Sequence, residues 1–303
     1  MKTEHNNAGS ADTLITTLKH ILVPADFSEP GVSAATYARR LARLTGAHIT
    51  LLHVNRNAAK SNGDSIRSSF NDRDWSDNPD SGAAVAQRLD AILDGLQVRR
   101  IILSGDPAGR IAEYVGSAGV DLVIMPTRGL GTVRRFLLGS TTAKVLHDVD
   151  CPVWTGVADP ASGQVEEEPQ LRRVACAIDL GPASAGIIRW AGAFAEAFRT
   201  SLTILHASPQ LEPVIGVIHE PEWCAHLASI LRGEVEKLIV DAGVEADIRL
   251  SGGEPAKTVT AMAAELNADA LVIGRPVANR FLGRLRTHSY AIIRQSPCPV
   301  ISV

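Results

Sequence analysis

Long apolar runs are missing from this sequence. Nowhere in its 303 residues is a stretch long enough to cross a bilayer, so no membrane-spanning segment is expected. Charge of one sign is missing too. Lys and Arg number 30 against 33 Asp and Glu, a net charge of -3, so there is no basic excess to suggest a nucleic-acid partner. Aromatic residues are only 4%, too few for a platform that stacks single-stranded bases. The four cysteines, at 151, 176, 224 and 298, form no Cys-x-x-Cys pair, and a reduced, cytoplasmic compartment is the simplest expectation. The opening MKTEHNNAGSADT carries Glu4, His5, Asn6 and Asn7 and no apolar core, so an ordinary secretory signal peptide is not expected. No Ser-His-Asp or Cys-His arrangement, paired-carboxylate motif or Walker A loop is recognisable. What is present is an ordinary globular composition, 45% hydrophobic and 21% charged, able to build sizeable cores.

The chain contains one plan twice. Laid over His20–Val54 without a gap, Arg173–Ala207 puts Asp179 on Asp26, Ala191 on Ala38, Ala195 on Ala42, Leu205 on Leu52 and His206 on His53. Further on, GEPAKTV matches GDPAGRI, with Gly253, Pro255 and Ala256 over Gly105, Pro107 and Ala108. Asp269 falls on Asp121, and Cys298 on Cys151. Low identity with matching order reads as an old duplication.

Each copy alternates short β-rich runs with helix-period segments. In the first copy, strands are expected near 20–25, 49–54, 99–104, 121–125 and 151–156. Their unbroken apolar character suits a parallel sheet covered on both faces. Val32, Ala35, Ala38, Leu41 and Ala42 form one helical stripe, with Ser28 as N-cap, Pro30 in the first turn and Gly46 just past the end. Strand and helix in alternation imply right-handed βαβ units. The expected division is a loose tail over 1–17, a first domain over 18–156, a linker over 157–171 and a second domain over 172–303. Residues 56–82 are polar and read as a loop.

The segment with chemistry is Met125–Val153. It leaves a buried strand through Arg128 and Gly129. Gly139-Ser140-Thr141 then opens a helix whose inner side carries Ala143, Leu146 and Val149. Glycine lets backbone approach a ligand, and a helix N-terminus offers N–H groups and a positive dipole end to an anion. Phosphate binding is the chemical reading; a tight turn with an ordinary Ser N-cap is the plain structural alternative.

These residues resemble the universal stress protein family, and the resemblance covers nearly all of the chain as two tandem copies. The ATP-binding branch of that family carries G-x2-G-x9-G-[S/T] after its fourth strand and an Asp at the end of its first. Gly129, nine residues, then Gly139-Ser140 fit the second and third parts; Asp26 fits the adenine-contacting Asp, and Val54 a pocket-lining position. By that resemblance the ATP pocket of copy one is formed by Pro24, Asp26, Val54, Met125, Pro126, Arg128, Gly129, Gly139, Ser140 and Thr141, with Mg²⁺ as a possible companion. Pro126 stands where the first glycine belongs and removes an N–H. Arg128 either compensates by pairing with phosphate or is a solvated loop residue.

Copy two departs further. Gly274 keeps the first glycine, but Val277 replaces the second, and Arg286-Thr287 replace Gly139-Ser140. Weak or no ATP binding is expected there. Arg275, Arg284 and Arg286 are either solvent-facing or a site for a smaller anion. The resemblance implies a fold of two doubly wound α/β domains, each a five-stranded parallel sheet of order 3-2-1-4-5. It also implies internal pairing of the domains through their last strands, and dimers are frequent in the family. The leading expectation is a stress-response sensor or regulator that binds ATP in domain 1, with a protein partner the sequence does not identify. In it, the ligand biases the order of the 126–140 loop. The alternatives are a nucleotide-free interaction module, or slow ATP hydrolysis or nucleotidyl transfer at the same site using Asp26 or Arg128.

Further features are weighed between a chemical and a plain reading. SGGEP, from Ser251, resembles a pyrophosphatase loop but follows the third strand, where SGDP in copy one suggests a shared turn. Gly129-Leu130-Gly131 fails as a dinucleotide fingerprint because Arg134 stands at the next glycine position. HEPEWCAH, with His219, Glu220, Glu222, Cys224 and His226, matches no zinc spacing. His53 and His206 are general bases or structural hydrogen-bonders, and Cys151 and Cys298 pack as small apolar residues.

Overall fold

Apolar β-branched runs separated by amphipathic segments fold into two compact units, one per copy. The computed structural model describes residues 18–56, 83–127, 138–156, 171–212, 221–275 and 285–303. The expected tail over 1–17, the loop over 57–82 and all of the expected linker except Leu171 lie outside the described residues.

In the first unit the order along the chain is β1 (His20–Pro24), α1 (Glu29–Thr45), β2 (His48–Asn55), α2 (Ala83–Ile92) and β3 (Val98–Ser104). It continues with α3 (Pro107–Ala118), β4 (Leu122–Ile124), α4 (Ser140–Asp148) and β5 (Val153–Thr155). All pairings are parallel: β2 lies between β3 and β1, and β4 lies between β1 and β5. The sheet order is therefore 3-2-1-4-5, as expected. Ile21, Leu22 and Val23 are all fully buried, because helices cover both faces of β1.

The helix signals read from sequence have physical counterparts. Ser28 caps α1, its Oγ accepting from Gly31 N at 3.2 Å, and the helix ends on Gly46 at φ 71°. Val32, Ala35, Ala38, Leu41 and Ala42 are all buried. In α4 the expected inner stripe shifts: Thr142, Val145 and Leu146 are buried, and Val149 is buried at the C-cap, whereas Ala143 is only half-buried.

The second unit runs β6 (Arg173–Ala177), α5 (Ser184–Phe198), β7 (Ser201–Ser208), a 3₁₀ turn (Pro209–Leu211), α6 (Pro221–Ala242) and β8 (Asp247–Gly252). Then come α7 (Pro255–Glu265), β9 (Ala270–Ile273), α8 (Leu285–Gln295) and β10 (Val300–Ser302). Its parallel pairings, β8–β7, β7–β6, β6–β9 and β9–β10, give the same order in its own count. Among the described residues no helix is long and apolar enough to cross a membrane.

Candidate functional site

The carboxyl edge of the first sheet gathers most of the residues singled out above, as the topology of a doubly wound sheet demands. Beyond β1, Asp26 Oδ1 accepts from Ser28 N at 3.1 Å and from the Ser28 hydroxyl. A Cβ on Gly31 would lie 3.2 Å from the same oxygen, so glycine lets the first turn of α1 close onto the carboxylate. Phe27, between them, adopts φ 55°. Copy two repeats the turn. Asp179 Oδ1 accepts from Gly181 N at 2.8 Å, and Leu180 has φ 60°. A left-handed non-glycine residue costs about 1–2 kcal/mol. Both copies hold one immediately after the aspartate, which fixes that carboxylate at the sheet edge.

His53 and His206 resolve as structural ties. Their Nδ1 atoms lie 2.8 Å from Ala25 O and 3.0 Å from Ile178 O, the residues just past β1 and β6. A carbonyl only accepts, so each ring donates from Nδ1 and links two adjacent strands at the carboxyl edge of its sheet. The Phe27 ring packs on His53 at 4.8 Å, and Val54, next along β2, is buried.

The second half of the edge is built from β4 and α4. Pro24, at the end of β1, is half-buried, while Met125 and Pro126 are buried at the end of β4. Pro126 O accepts from the Thr142 hydroxyl at 3.1 Å, and Thr127 O accepts from Gly139 N at 2.8 Å. These two bonds pin the head of α4 to the end of β4. Gly139 itself is extended (φ -63°, ψ 145°) and supplies no side-chain cap. Because its own N–H is already used, the N–H groups left for an anion begin at Ser140. Ser140 is exposed and Thr141 half-buried. Arg128 and Gly129, and all of 128–137, lie outside the described residues.

One cation here was invisible to motif reading. Arg56 stands one residue beyond β2, and its Nη2 donates to Thr141 Oγ1 at 3.2 Å. In the sequence it only opens the polar stretch 56–82. The signal that could have found it is its place at the end of the strand beside β1, hence at the same edge as Asp26. Lys144 Nζ, one turn into α4, lies 3.4 Å from Asp106 Oδ2. Asp106 caps α3 by accepting from Gly109 N at 3.1 Å. That bond above all, with Lys144 and Arg56 nearby, holds its carboxyl below the usual range.

The aligned pole of copy two is built differently. A Cβ on Gly274 would meet Ile187 Cδ1 at 2.4 Å, so a larger residue there would require the Ile187 side chain to move; copy one has Ala34 where Ile187 stands and Pro126 where Gly274 stands. The pin is kept, with Ser289 Oγ donating to Gly274 O at 3.4 Å. The helix start is not kept: α8 is already helical at Leu285 and Arg286, where α4 waits for Ser140. Pro209 replaces Arg56. His288 replaces Thr141, and its Nδ1 lies 3.1 Å from Glu254 Oε1, the N-cap of α7. Val277 and Arg284 lie outside the described residues, as does the side chain of Arg286.

The remaining features take plain roles. Gly253 and Gly105 share φ near 130° (128° and 131°), which makes SGGEP and SGDP one repeated turn. No group of three potential metal ligands exists among the described residues, with His219 and Glu220 outside them. No disulfide joins the four cysteines; burial pushes the Cys298 thiol up to about 11 and raises that of Cys176 further.

Comparison with known proteins is consistent across sequence and structure. The model of the universal stress protein family matches residues 17–155 and again 170–303. Universal stress protein YxiE of Bacillus subtilis is 27% identical over 140 residues, 44% of this chain and 95% of that protein. A universal stress protein of Archaeoglobus fulgidus shares the fold with a TM-score of 0.65 at 24% identity, over 93% of this chain and 97% of that one. A putative universal stress protein of Pseudomonas aeruginosa does so with a TM-score of 0.67 at 19% identity, over 96% and 94%.

Proposed function

The chain belongs to the universal stress protein family as a tandem two-domain member, and from that premise we propose that it is a cytoplasmic stress-response protein that binds ATP in its first domain and acts as a sensor or regulator. The observation that carries this reading is the head of α4. There an uncapped helix start, the Ser140 and Thr141 hydroxyls and the Arg56 guanidinium converge at the edge that also holds Asp26. Among the described residues Arg56 and Lys144 bring two cations to the head of α4, Lys144 beside Asp106, and cations at a helix start suit a polyphosphate.

In this reading Asp26 orients the base, and Val54, Pro24 and Met125 line the pocket. Ser140, Thr141 and Arg56 hold phosphate oxygens, with Arg128 and Gly129 as further proposed contacts. Mg²⁺ bound with the nucleotide would neutralise part of the phosphate charge. Copy two contributes no second ATP site, because its helix begins before Arg286 and its pole is closed by the Glu254–His288 pair. A nucleotide-free interaction module is the second reading. It is favoured by Pro126, which has no N–H and whose carbonyl is taken by Thr142.

Calorimetric titration of the whole chain with ATP and Mg²⁺ separates the two. One ATP per chain, lost in Gly139→Arg, supports the first domain as the site. Two would overturn the account of copy two. No heat at millimolar ATP would leave the interaction module.

A further inference from the structure

His20 opens β1 at the end of the first sheet opposite Asp26, and its ring is buried, 4% exposed. Its Nδ1 lies 3.2 Å from the carbonyl oxygen of Ala118, at the end of α3, and its Nε2 lies 2.8 Å from Thr50 Oγ1 on β2. A carbonyl only accepts, so in the neutral ring Nδ1 carries the hydrogen and Nε2 accepts from the Thr50 hydroxyl. Thr50 Oγ1 is also 3.2 Å from Tyr114 Oη on α3. With its own hydrogen committed to His20, Thr50 receives from Tyr114. The chain of donation therefore has one direction, Tyr114 to Thr50 to His20 to Ala118. His48 stacks on His20 with ring centroids 4.1 Å apart, and Tyr114 meets the His20 ring edge-on at 6.0 Å.

A second proton on His20 undoes this arrangement. Nε2 becomes a donor, Thr50 must accept and turn its hydrogen toward Tyr114, and a charge appears in a buried site beside His48. Burial first, and His48 second, push the His20 pKa below the ordinary histidine value, against the opposing pull of the Ala118 carbonyl and Asp121. The charged and titratable groups around the ring are few. His48 on β2 is half-buried, Tyr114 on α3 is buried, and Asp121 before β4 accepts the backbone N–H of Lys19 and His20 at 2.8 and 2.9 Å. Lys19 is exposed, as is Arg99 on β3, in register with Thr50. On α4, packed beside α3, His147 and Asp148 form an exposed pair at 2.6 Å.

The second copy serves as an internal control. Arg173, Ser201, Thr203 and Met262 stand at the positions of His20, His48, Thr50 and Tyr114. Arg173 Nε donates to Asn267 O at 3.0 Å, and Asp269 keeps both backbone bonds, from Arg172 and Arg173. None of those four replacements titrates near neutrality.

We propose that the Tyr114–Thr50–His20–Ala118 chain is a proton-operated latch: it ties β1 to β2 and α3 in the first domain at neutral pH and is released by mild acid, while the second domain has no such latch. The latch does not depend on nucleotide binding, though α3 runs from Asp106 at the candidate site to Ala118 at the latch. The unfolded or opened chain takes up the proton more readily than the closed one. The stability it gives is therefore complete above the ordinary histidine range and lost as pH falls through it.

The test is hydrogen exchange on the full chain at about pH 7.5 and about pH 5.5, corrected for intrinsic rates. Uptake of one proton lowers protection by at most about tenfold per pH unit. Amides of 19–24 and 113–118 should lose several-fold or more, and those of 172–177 and 261–266 should not change. In His20→Gln the loss should vanish; should that variant not fold, His20→Arg copies the second domain's solution. Ring NMR of the unaltered chain provides a readout that needs no variant. His20 should titrate below the ordinary histidine range. Equal acid response in the two domains, response persisting in the variants, or a His20 midpoint at or above the ordinary histidine value would each overturn the latch.

Discussion

At Thr141 a hydroxyl oxygen faces a guanidinium that arrives from another strand, and this pairing sets the strength of the proposed site. Arg56 is exposed and donates to Thr141 Oγ1 at the surface, so removing it should leave the fold intact. A hydrogen bond from a charged group contributes about 1.5 kcal/mol or more, near tenfold in affinity. Arg56→Ala should weaken ATP binding by about that factor and flatten its dependence on salt, with an unchanged melting temperature in the absence of ligand. Titration at two salt concentrations checks both parts, and undiminished affinity would remove Arg56 from the site. Asp26, Gly139 and Ser140 were legible in the sequence because a local pattern carries them: a strand end, a glycine, a helix start. Arg56 was not. Its place at the proposed site comes from β2 lying beside β1, a juxtaposition that only the sheet order creates.

At the scale of an element, the duplication compares two solutions to one local problem. Helix α1 ends on Gly46 at φ 71°, and α5 ends on Arg199 at φ 52°, its aligned counterpart. Nothing lies within 4 Å of a Cβ built on Gly46, so a side chain there meets no clash and the difference is conformational alone. Arg199→Gly should stabilise the second domain by about 1 kcal/mol, and Gly46→Arg should destabilise the first by about as much. Shifts of opposite sign in denaturant midpoints check this pair. The start of α7 makes a second case. Glu254 accepts from Ala256 N at 3.2 Å and Lys257 N at 2.9 Å. Burial pushes its carboxyl up, but those bonds and His288 outweigh it, and the net shift is downward. A lowered carboxyl stabilises above the ordinary glutamate range and ceases to do so as pH falls through and below that range. Glu254→Ala should cost about 1 kcal/mol at neutral pH and have little effect in strong acid. Helix caps of this kind were readable as Ser28, Pro30 and Gly46 because their residue preferences are strong. The early start of α8 was not readable from the replacement of Gly139-Ser140 by Arg286-Thr287. The shift of the buried stripe on α4 toward Val145 was not readable, since Ala143 and Val145 both suit an inner face and only tertiary packing chooses between them.

For the molecule as a whole, duplication kept the architecture and let the chemistry diverge. The repeated residues Asp26 and Asp179, His53 and His206, and Gly105 and Gly253 hold turns and strands together in both copies. That is why the tandem plan survives at low identity and could be seen from the sequence. Differences that matter here fall at the two ends of the sheets, where Pro209 replaces Arg56, His288 replaces Thr141 and Arg173 replaces His20. Each difference falls at a position whose partner is distant along the chain, so its meaning emerged only with the fold. The divergence predicts an uneven response to ligand. A ligand that binds only the folded first domain, at one hundred times its dissociation constant, adds about 2.7 kcal/mol to that domain's opening. Exchange of the β1 and β4 amides should therefore slow by up to about hundredfold when ATP and Mg²⁺ are added. The amides of β6 and β9 should keep their rates. Equal slowing in both domains would mean that the Glu254–His288 pair and the early start of α8 do not exclude nucleotide from copy two. Protection confined to β6 and β9 would place the nucleotide in the copy whose pole carries fewer of the residues proposed to hold phosphate, and would reverse the assignment made from α4.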